Sequence, residues 1–371
     1  MRVGVPKEIK AHEFRVGLTP GAVREYVSHG HAVLVECDAG AGIGAGDDDY
    51  RRAGAAIVSD PAELFAASDM IVKVKEPQPV EWPMLRDGQI LFTYLHLAPD
   101  PIQAQALLSS GCIAVAYETV TDANGTLPLL APMSEVAGRL AVEAAAAAMR
   151  ATAGGCGALL GGVPGVPPAK VLIIGGGIVG VQAARMAVGL GADVTILERS
   201  LARLREVDAQ FSGRVRTRYS TAEALEHELA VADAVIGAVL VPGASAPKLI
   251  GRGMLARMRP RAVIVDVAID QGGCAETSRP TTHEEPTFAV DGVIHYCVAN
   301  MPSAVPLTAS HALNNATLPF GLALADGGLA AIMTDPHLRA GLNVHRGCVT
   351  HIAVARSLGL PCVAPEEALA G

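Results

Sequence analysis

The chain has 371 residues, more than one hydrophobic core ordinarily organises, so its length predicts about two or three folding units with a cleft between them. Half of the residues are hydrophobic, 18% are charged and only 4% are aromatic, a composition rich in Ala, Val, Leu and Ile that suits buried parallel strands and close-packed helices. A formal net charge of -8 without a dense Lys/Arg run excludes a nucleic-acid footprint, and seven scattered cysteines without paired spacing point to a reducing, cytoplasmic setting.

Residues 1–10 read as a short strand followed by charge, without the apolar stretch of a secretory signal. Short β-branched runs at 3–5, 32–36, 70–74, 90–94 and 113–117 then alternate with helices over 20–29, 61–67 and 101–110, each with a proline near its start. This alternation predicts a mostly parallel sheet covered by helices, with ligand chemistry at the strand carboxyl ends. The alanine-rich stretch 140–149 is interrupted by Glu143 and flanked by Arg139 and Arg150, too short for a bilayer, and reads as a packed helix. A Gly/Pro-rich passage at 154–168 reads as a loop or lid.

From Lys170 a second series follows, with strands at 171–174, 193–197, 234–237, 262–266 and 293–298. Beyond Asn300, Pro302 and Pro306 lead into helical sequence without an evident new strand series, which predicts that the chain crosses back to buttress its first unit. The expected fold is therefore α/β, two doubly wound, Rossmann-like domains with a cleft between them, the first discontinuous. Residues 1–128 with 307–371 would form a substrate and catalytic domain, and 129–306 a dinucleotide-binding domain.

The strand at 171–174 runs directly into Gly175-Gly176-Gly177-Ile178-Val179-Gly180 and a helical pattern, the context that a dinucleotide loop requires. Gly175 serves the tight turn, Gly177 lets a pyrophosphate approach the backbone, and Gly180 allows close packing of helix on strand. Glu198, at the end of the next strand, is placed to accept hydrogen bonds from ribose hydroxyls and favours NAD. Its neighbour Arg199 could instead attract the 2′-phosphate of NADP, or simply be solvated.

Strand ends also offer reactive groups. Lys75 follows the run at 70–74 and His96 the run at 90–94; His is the side chain that ordinarily titrates near neutrality. Asp266 and Asp270 flank Val267-Ala268-Ile269 where a nicotinamide half belongs, one expected to serve the site and the other to bond a turn. The histidines are dispersed and form no metal-ligand spacing, so no metal is expected.

Together these residues resemble the alanine dehydrogenase family, which includes the nucleotide-binding subunit of proton-translocating transhydrogenase. The matching segments span nearly the whole chain: 2–8, 13–16, 72–77, 91–96, 129–139, 166–168, 266–273 and 298–302. The resemblance implies reversible oxidative deamination of L-alanine to pyruvate and ammonia with NAD, by a homohexamer. It makes His96 the acid/base and Asp270 the residue that activates water or ammonia, with Arg15 and Lys75 holding substrate. Ser134, Glu198, Arg203, Ser220, Val239, Leu240, Arg279 and Asn300 are carried over as cofactor contacts, joined by Val267, Ala268, Ile269, Val298, Ala299 and Met301. The family more often has aspartate at the position of Glu198 and an uncharged residue at that of Arg199. Alternative readings are a dehydrogenase of another small amino or 2-oxo acid, and a non-catalytic transhydrogenase-like subunit, which the pairing of Lys75 with His96 argues against.

Overall fold

The computed structural model describes residues 1–239 and 246–370. They fall into two compact units, Met1–Met133 with Ser303–Gly371, and Ser134–Pro302. No helix among the described residues is long and apolar enough to cross a membrane.

In the first unit, β1 (Arg2–Val5), β2 (Ala32–Glu36), β3 (Ala56–Val58), β4 (Met70–Val72), β5 (Ile90–Thr93) and β6 (Ile113–Ala116) lie parallel in the order β3-β2-β1-β4-β5-β6. The central strands read as unbroken apolar runs because both of their faces are covered. Val3, Val5, Val72, Phe92 and Val115 enter one core, while Ile71, Leu91, Ala114 and Ala116 enter another. The helices Pro20–Ser28, Pro61–Ala67 and Pro101–Ser110 start where expected. Thr19, Asp60 and Asp100 cap them, each side chain accepting a first-turn amide, and proline occupies a position whose N–H would go unused.

The returning segment supplies the long helix Pro306–Gly327, whose Leu313, Leu324 and Ala325 enter the first core. It also holds the loop after β1: Ser310 Oγ accepts from the Val16 amide (3.2 Å), Asn314 Oδ1 from the Thr19 amide (2.7 Å), and Asn314 Nδ2 donates to the Gly17 carbonyl (3.0 Å). Contrary to expectation, this segment also contributes strands. An antiparallel hairpin, Leu342–His345 and Cys348–Val349, extends the sheet beyond β6. Its polar Asn343 masked the strand pattern, and that side chain is satisfied inside by Thr119 Oγ1 and the Gly341 carbonyl.

The second unit has β7 (Lys170–Ile174), β8 (Asp193–Glu198), β9 (Val215–Tyr219), β10 (Ala234–Gly237), β11 (Val263–Asp266), β12 (Thr287–Val290) and β13 (Val293–Tyr296). The order is β9-β8-β7-β10-β11-β13, all parallel, with β12 antiparallel at the edge. Both units thus have strand order 3-2-1-4-5-6, reversing direction beside β1 and β7. The strands not foreseen here, β9 and β12, are edges, and β9 is disguised by Arg216 and Arg218, which pair with Asp193 and Glu228. Within helix Ala131–Ala148, Gly138 touches helix Ile178–Gly189, since a Cβ there would sit 2.3 Å from the Val179 carbonyl. The passage 154–168 is a loop, closed by a bridge between Val163 and Val166.

Candidate active site

In the first unit, Lys75 and His96 stand three residues past the carboxyl ends of β4 and β5, and Arg15 lies on the long loop that follows β1. The three strands are neighbours, and β1 and β4 form the point where strand order reverses. Open α/β sheets leave a crevice at that point, because the two crossovers leave it in opposite directions. Gly17 brings the β1 loop against β4, where a Cβ would lie 2.4 Å from the Val72 carbonyl.

This edge is built on buried charge. Glu8 Oε1 accepts the amides of Val74 (2.6 Å) and Lys75 (3.3 Å), which ties the backbone of Lys75 to the loop after β1. The Lys73 ammonium, fully buried, lies 2.7 Å from Glu81 and 3.4 Å from Glu8. Burial opposes its charge, yet the two carboxylates outweigh burial and hold its pKa above the ordinary value. Burial likewise pushes Glu8 up, with Lys73 opposing.

Arg15 is 2% exposed, and Glu13 grips one edge of its guanidinium through Nε (2.6 Å) and Nη2 (2.5 Å). Burial works against the charge here too, but the hydrogen bonds and charge of Glu13 raise the pKa. Nη1 reaches Met133 Sδ at 3.0 Å. The Arg15 charge also acts on buried Tyr94, whose ring stacks nearly parallel on the His96 imidazole, 7° between planes and 5.8 Å between centroids. Tyr94 thus stacks on His96 and lies within the field of the Arg15 charge. Lys75 is half-buried, and its carbonyl accepts from Thr93 Oγ1 (2.9 Å).

In the second unit, Gly175 adopts φ +105°, and Gly177 precedes helix Ile178–Gly189. A Cβ on Gly175 would strike the Ala238 carbonyl at 2.6 Å, and one on Gly180 the Gly175 carbonyl at 1.9 Å. At Gly177 it would meet no protein atom within 4 Å. The fold itself therefore leaves space over Gly177, beside the first amides of the helix, which suits a phosphate-bearing dinucleotide.

Glu198 turns its carboxylate into this loop: Oε2 accepts from the Gly176 amide (2.8 Å), Oε1 from Arg199 (2.6 Å) and Ser200 (2.9 Å). Arg203 Nε donates to the Gly176 carbonyl (2.5 Å), and the Ser220 amide to the Glu198 carbonyl (3.0 Å). Gly175–Gly177, Glu198, Arg203 and Ser220 thus form one cluster, with half-buried Val239 next to it at the end of β10. Leu240 lies outside the described residues. Ser134 is one helical turn before Gly138, on the face that meets Val179.

The two aspartates separate cleanly. Asp266 is buried and bonds the turn, accepting from the amides of Ala268, Cys274 and Ala275 and from Ser278 Oγ. Asp270 is exposed in the turn Val267–Gln271 and accepts from the Asn300 amide at 3.4 Å. Ala268, Ile269, Val298 and Met301 bury their side chains, so only their backbones are offered; Val267 and Ala299 are half-buried. Arg279 stands on the Phe288 ring, 4.3 Å from its centroid, rather than in the glycine cluster.

Glu8, Glu13, Lys73, Tyr94 and Glu118 were not singled out in the sequence as site residues. A signal exists for Glu118: it stands two residues past β6, as Lys75 and His96 stand three past β4 and β5. The one group of potential metal ligands among the described residues, Cys37, Asp38 and Asp47, is elsewhere, with Cys37 Sγ and the Asp38 amide both donating to Asp47.

The family model for the alanine dehydrogenase/PNT N-terminal domain matches residues 4–137, and that for the C-terminal domain matches 141–352. An alanine dehydrogenase of Halomonas elongata is 57% identical over 364 residues, 98% of either chain. A solved L-alanine dehydrogenase superposes with TM-score 0.94 at 51% identity, covering 97% of this chain and 99% of its own. The crystal structure of a transhydrogenase from Sinorhizobium meliloti follows at TM-score 0.82 and 26% identity, covering 94% and 100%.

Proposed function

The chain belongs to the alanine dehydrogenase/PNT family, and from that premise we propose that it catalyses the reversible NAD-dependent oxidative deamination of L-alanine to pyruvate and ammonia. The observation that carries this reading is that Arg15, Lys75 and His96 lie on the connections that leave three adjacent strands of one sheet at their carboxyl ends.

In this reading the first unit holds substrate and the second the dinucleotide, whose nicotinamide supplies the hydride acceptor when bound. Glu13 holds the Arg15 guanidinium in place, and that guanidinium would meet the substrate carboxylate. The Lys75 ammonium polarises the carbonyl oxygen of pyruvate. Neutral His96 takes a proton as water adds to the iminium formed from alanine, and returns it as ammonia leaves. Asp270 orients that water, or ammonia in the reverse direction.

Glu198 supports NAD over NADP. About four lone-pair positions serve a carboxylate, and three are used by backbone amides, which leaves one acceptor position for a ribose hydroxyl and none of the positive charge that a 2′-phosphate needs. Exposed Arg199 is the competing group. Initial rates with L-alanine and either dinucleotide test this: kcat/KM is expected to favour NAD by at least about tenfold, and an NADP preference overturns the cofactor assignment. No turnover of L-alanine with either overturns the activity. A homohexamer and a cytoplasmic location complete the reading, the former checked by sedimentation.

A further inference from the structure

The backbone of His96 carries an unusual feature. Its φ is +48°, in the left-handed region that costs a side chain with a Cβ, and such strain persists only where surrounding contacts impose it. Those contacts hold the Leu95–His96 peptide from both sides, and the amide of the peptide before it. On one side Glu118 Oε1 accepts the His96 amide at 2.6 Å, and both Glu118 oxygens accept the Leu95 amide at 3.2 Å. On the other, Gln103 Nε2, almost wholly buried, donates to the Leu95 carbonyl at 2.7 Å.

We propose that Glu118 is a positioning residue for His96, clamping the peptide between Leu95 and His96 together with Gln103, so that the imidazole stays flat against Tyr94. The proposal rests on the reading of His96 as acid/base. The platform is itself fixed, because Tyr94 Oη donates to the Leu129 carbonyl at 2.5 Å and edges against Tyr117. Glu118 can reach the loop after β5 because it follows β6, the parallel neighbour of β5. Its charge also acts on His351 and Tyr94, but the clamp needs an acceptor oxygen rather than a charge.

The test uses the full-length enzyme. E118A should lower kcat for L-alanine oxidation by about 30-fold or more, since a displacement of roughly 1 Å at a reacting group costs on the order of 100-fold. NADH affinity, which belongs to the other unit, should stay within about twofold. E118Q keeps an acceptor oxygen for the His96 amide and should recover kcat to within about fivefold of the wild type. Gln103 acts on the same peptide, so E118A and Q103A together should cost less than the product of their separate losses.

Three results would each overturn the proposal: E118A with kcat within about threefold of wild type, E118Q falling as far as E118A, or fully multiplicative losses. If E118A does not fold, Q103A decides instead, a loss of kcat with NADH binding kept supporting the clamp and unchanged kcat overturning it. A crystal structure of E118A asks the same question without chemistry, since residue 96 should leave the left-handed region. An H96A variant with undiminished turnover would instead remove the reading on which the inference rests, without touching the clamp.

Discussion

The two units fold to the same strand order, yet they equip the carboxyl edge of the sheet in opposite ways. At the edge of the first, charged side chains are buried and held by one another: Lys73 between Glu8 and Glu81, Arg15 in the grip of Glu13. In the second unit the corresponding edge is made of glycines, backbone amides and two carboxylates, Glu198 and Asp266, turned onto such amides. A dinucleotide presents phosphates that a backbone can cradle wherever side chains stay out of the way. A small amino acid offers little surface, so its site must supply placed charge and a group that titrates, and the surrounding chain must prevent that charge from collapsing into solvent or shifting. In the proposed reading, one topology thus serves a ligand recognised by backbone and another recognised by side chains.

Removing a buried charge should expose this difference most strongly. K73M leaves Glu8 and Glu81 buried together without their cation, and should destabilise the first unit by about 3–5 kcal/mol in urea titration. A loss under about 1 kcal/mol would mean that the network is incidental.

The glycine edge breaks differently. G180A drives a Cβ into the Gly175 carbonyl and should cost about 1–3 kcal/mol of stability. G177A meets no protein atom, so its melting should be unchanged to within about 0.5 kcal/mol while the dinucleotide Kd rises about tenfold or more. Unaltered affinity in G177A, measured by NADH fluorescence titration, would detach that loop from cofactor binding.

Acid should separate the units least. Burial lowers the pKa of His345 and His351 in the first unit and of His295 in the second below 6.5. Because the folded values are depressed, neutral burial contributes its full stability above pH 6.5, and that contribution is lost as pH falls from 6.5 to the folded pKa. Trp82, the single tryptophan, lies in the first unit, so its fluorescence melt should move down between about pH 7.5 and pH 5.5 more than the overall circular dichroism melt does. An unmoved tryptophan transition contradicts the assignment.

Local chemistry decided what could be read from sequence. Strands that are buried on both faces, such as Ile90–Thr93 and Val263–Asp266, announce themselves as apolar runs, and helices begun by Thr19-Pro20 or Asp60-Pro61 mark their own starts. Edge strands do not, because Arg216, Arg218 and Asn343 find their partners only in the tertiary fold. The same holds for the site. Lys75 and His96 stand out as polar residues at strand ends, and Gly175–Gly180 by its context. Glu8 and Glu13 become meaningful only once Lys73 and Arg15 are known to be buried beside them. Which aspartate of the pair at 266 and 270 serves the turn also depends on amides up to nine residues away.

The central claim is that the first unit carries the acid/base, His96, while the second holds the dinucleotide, and H96A tests it directly by measuring L-alanine turnover and NADH affinity on one preparation. Turnover is expected to fall by about 10²–10⁴-fold with affinity unchanged to within about twofold. Turnover that survives, or affinity that falls in step with it, would contradict the division of labour between the two sheets.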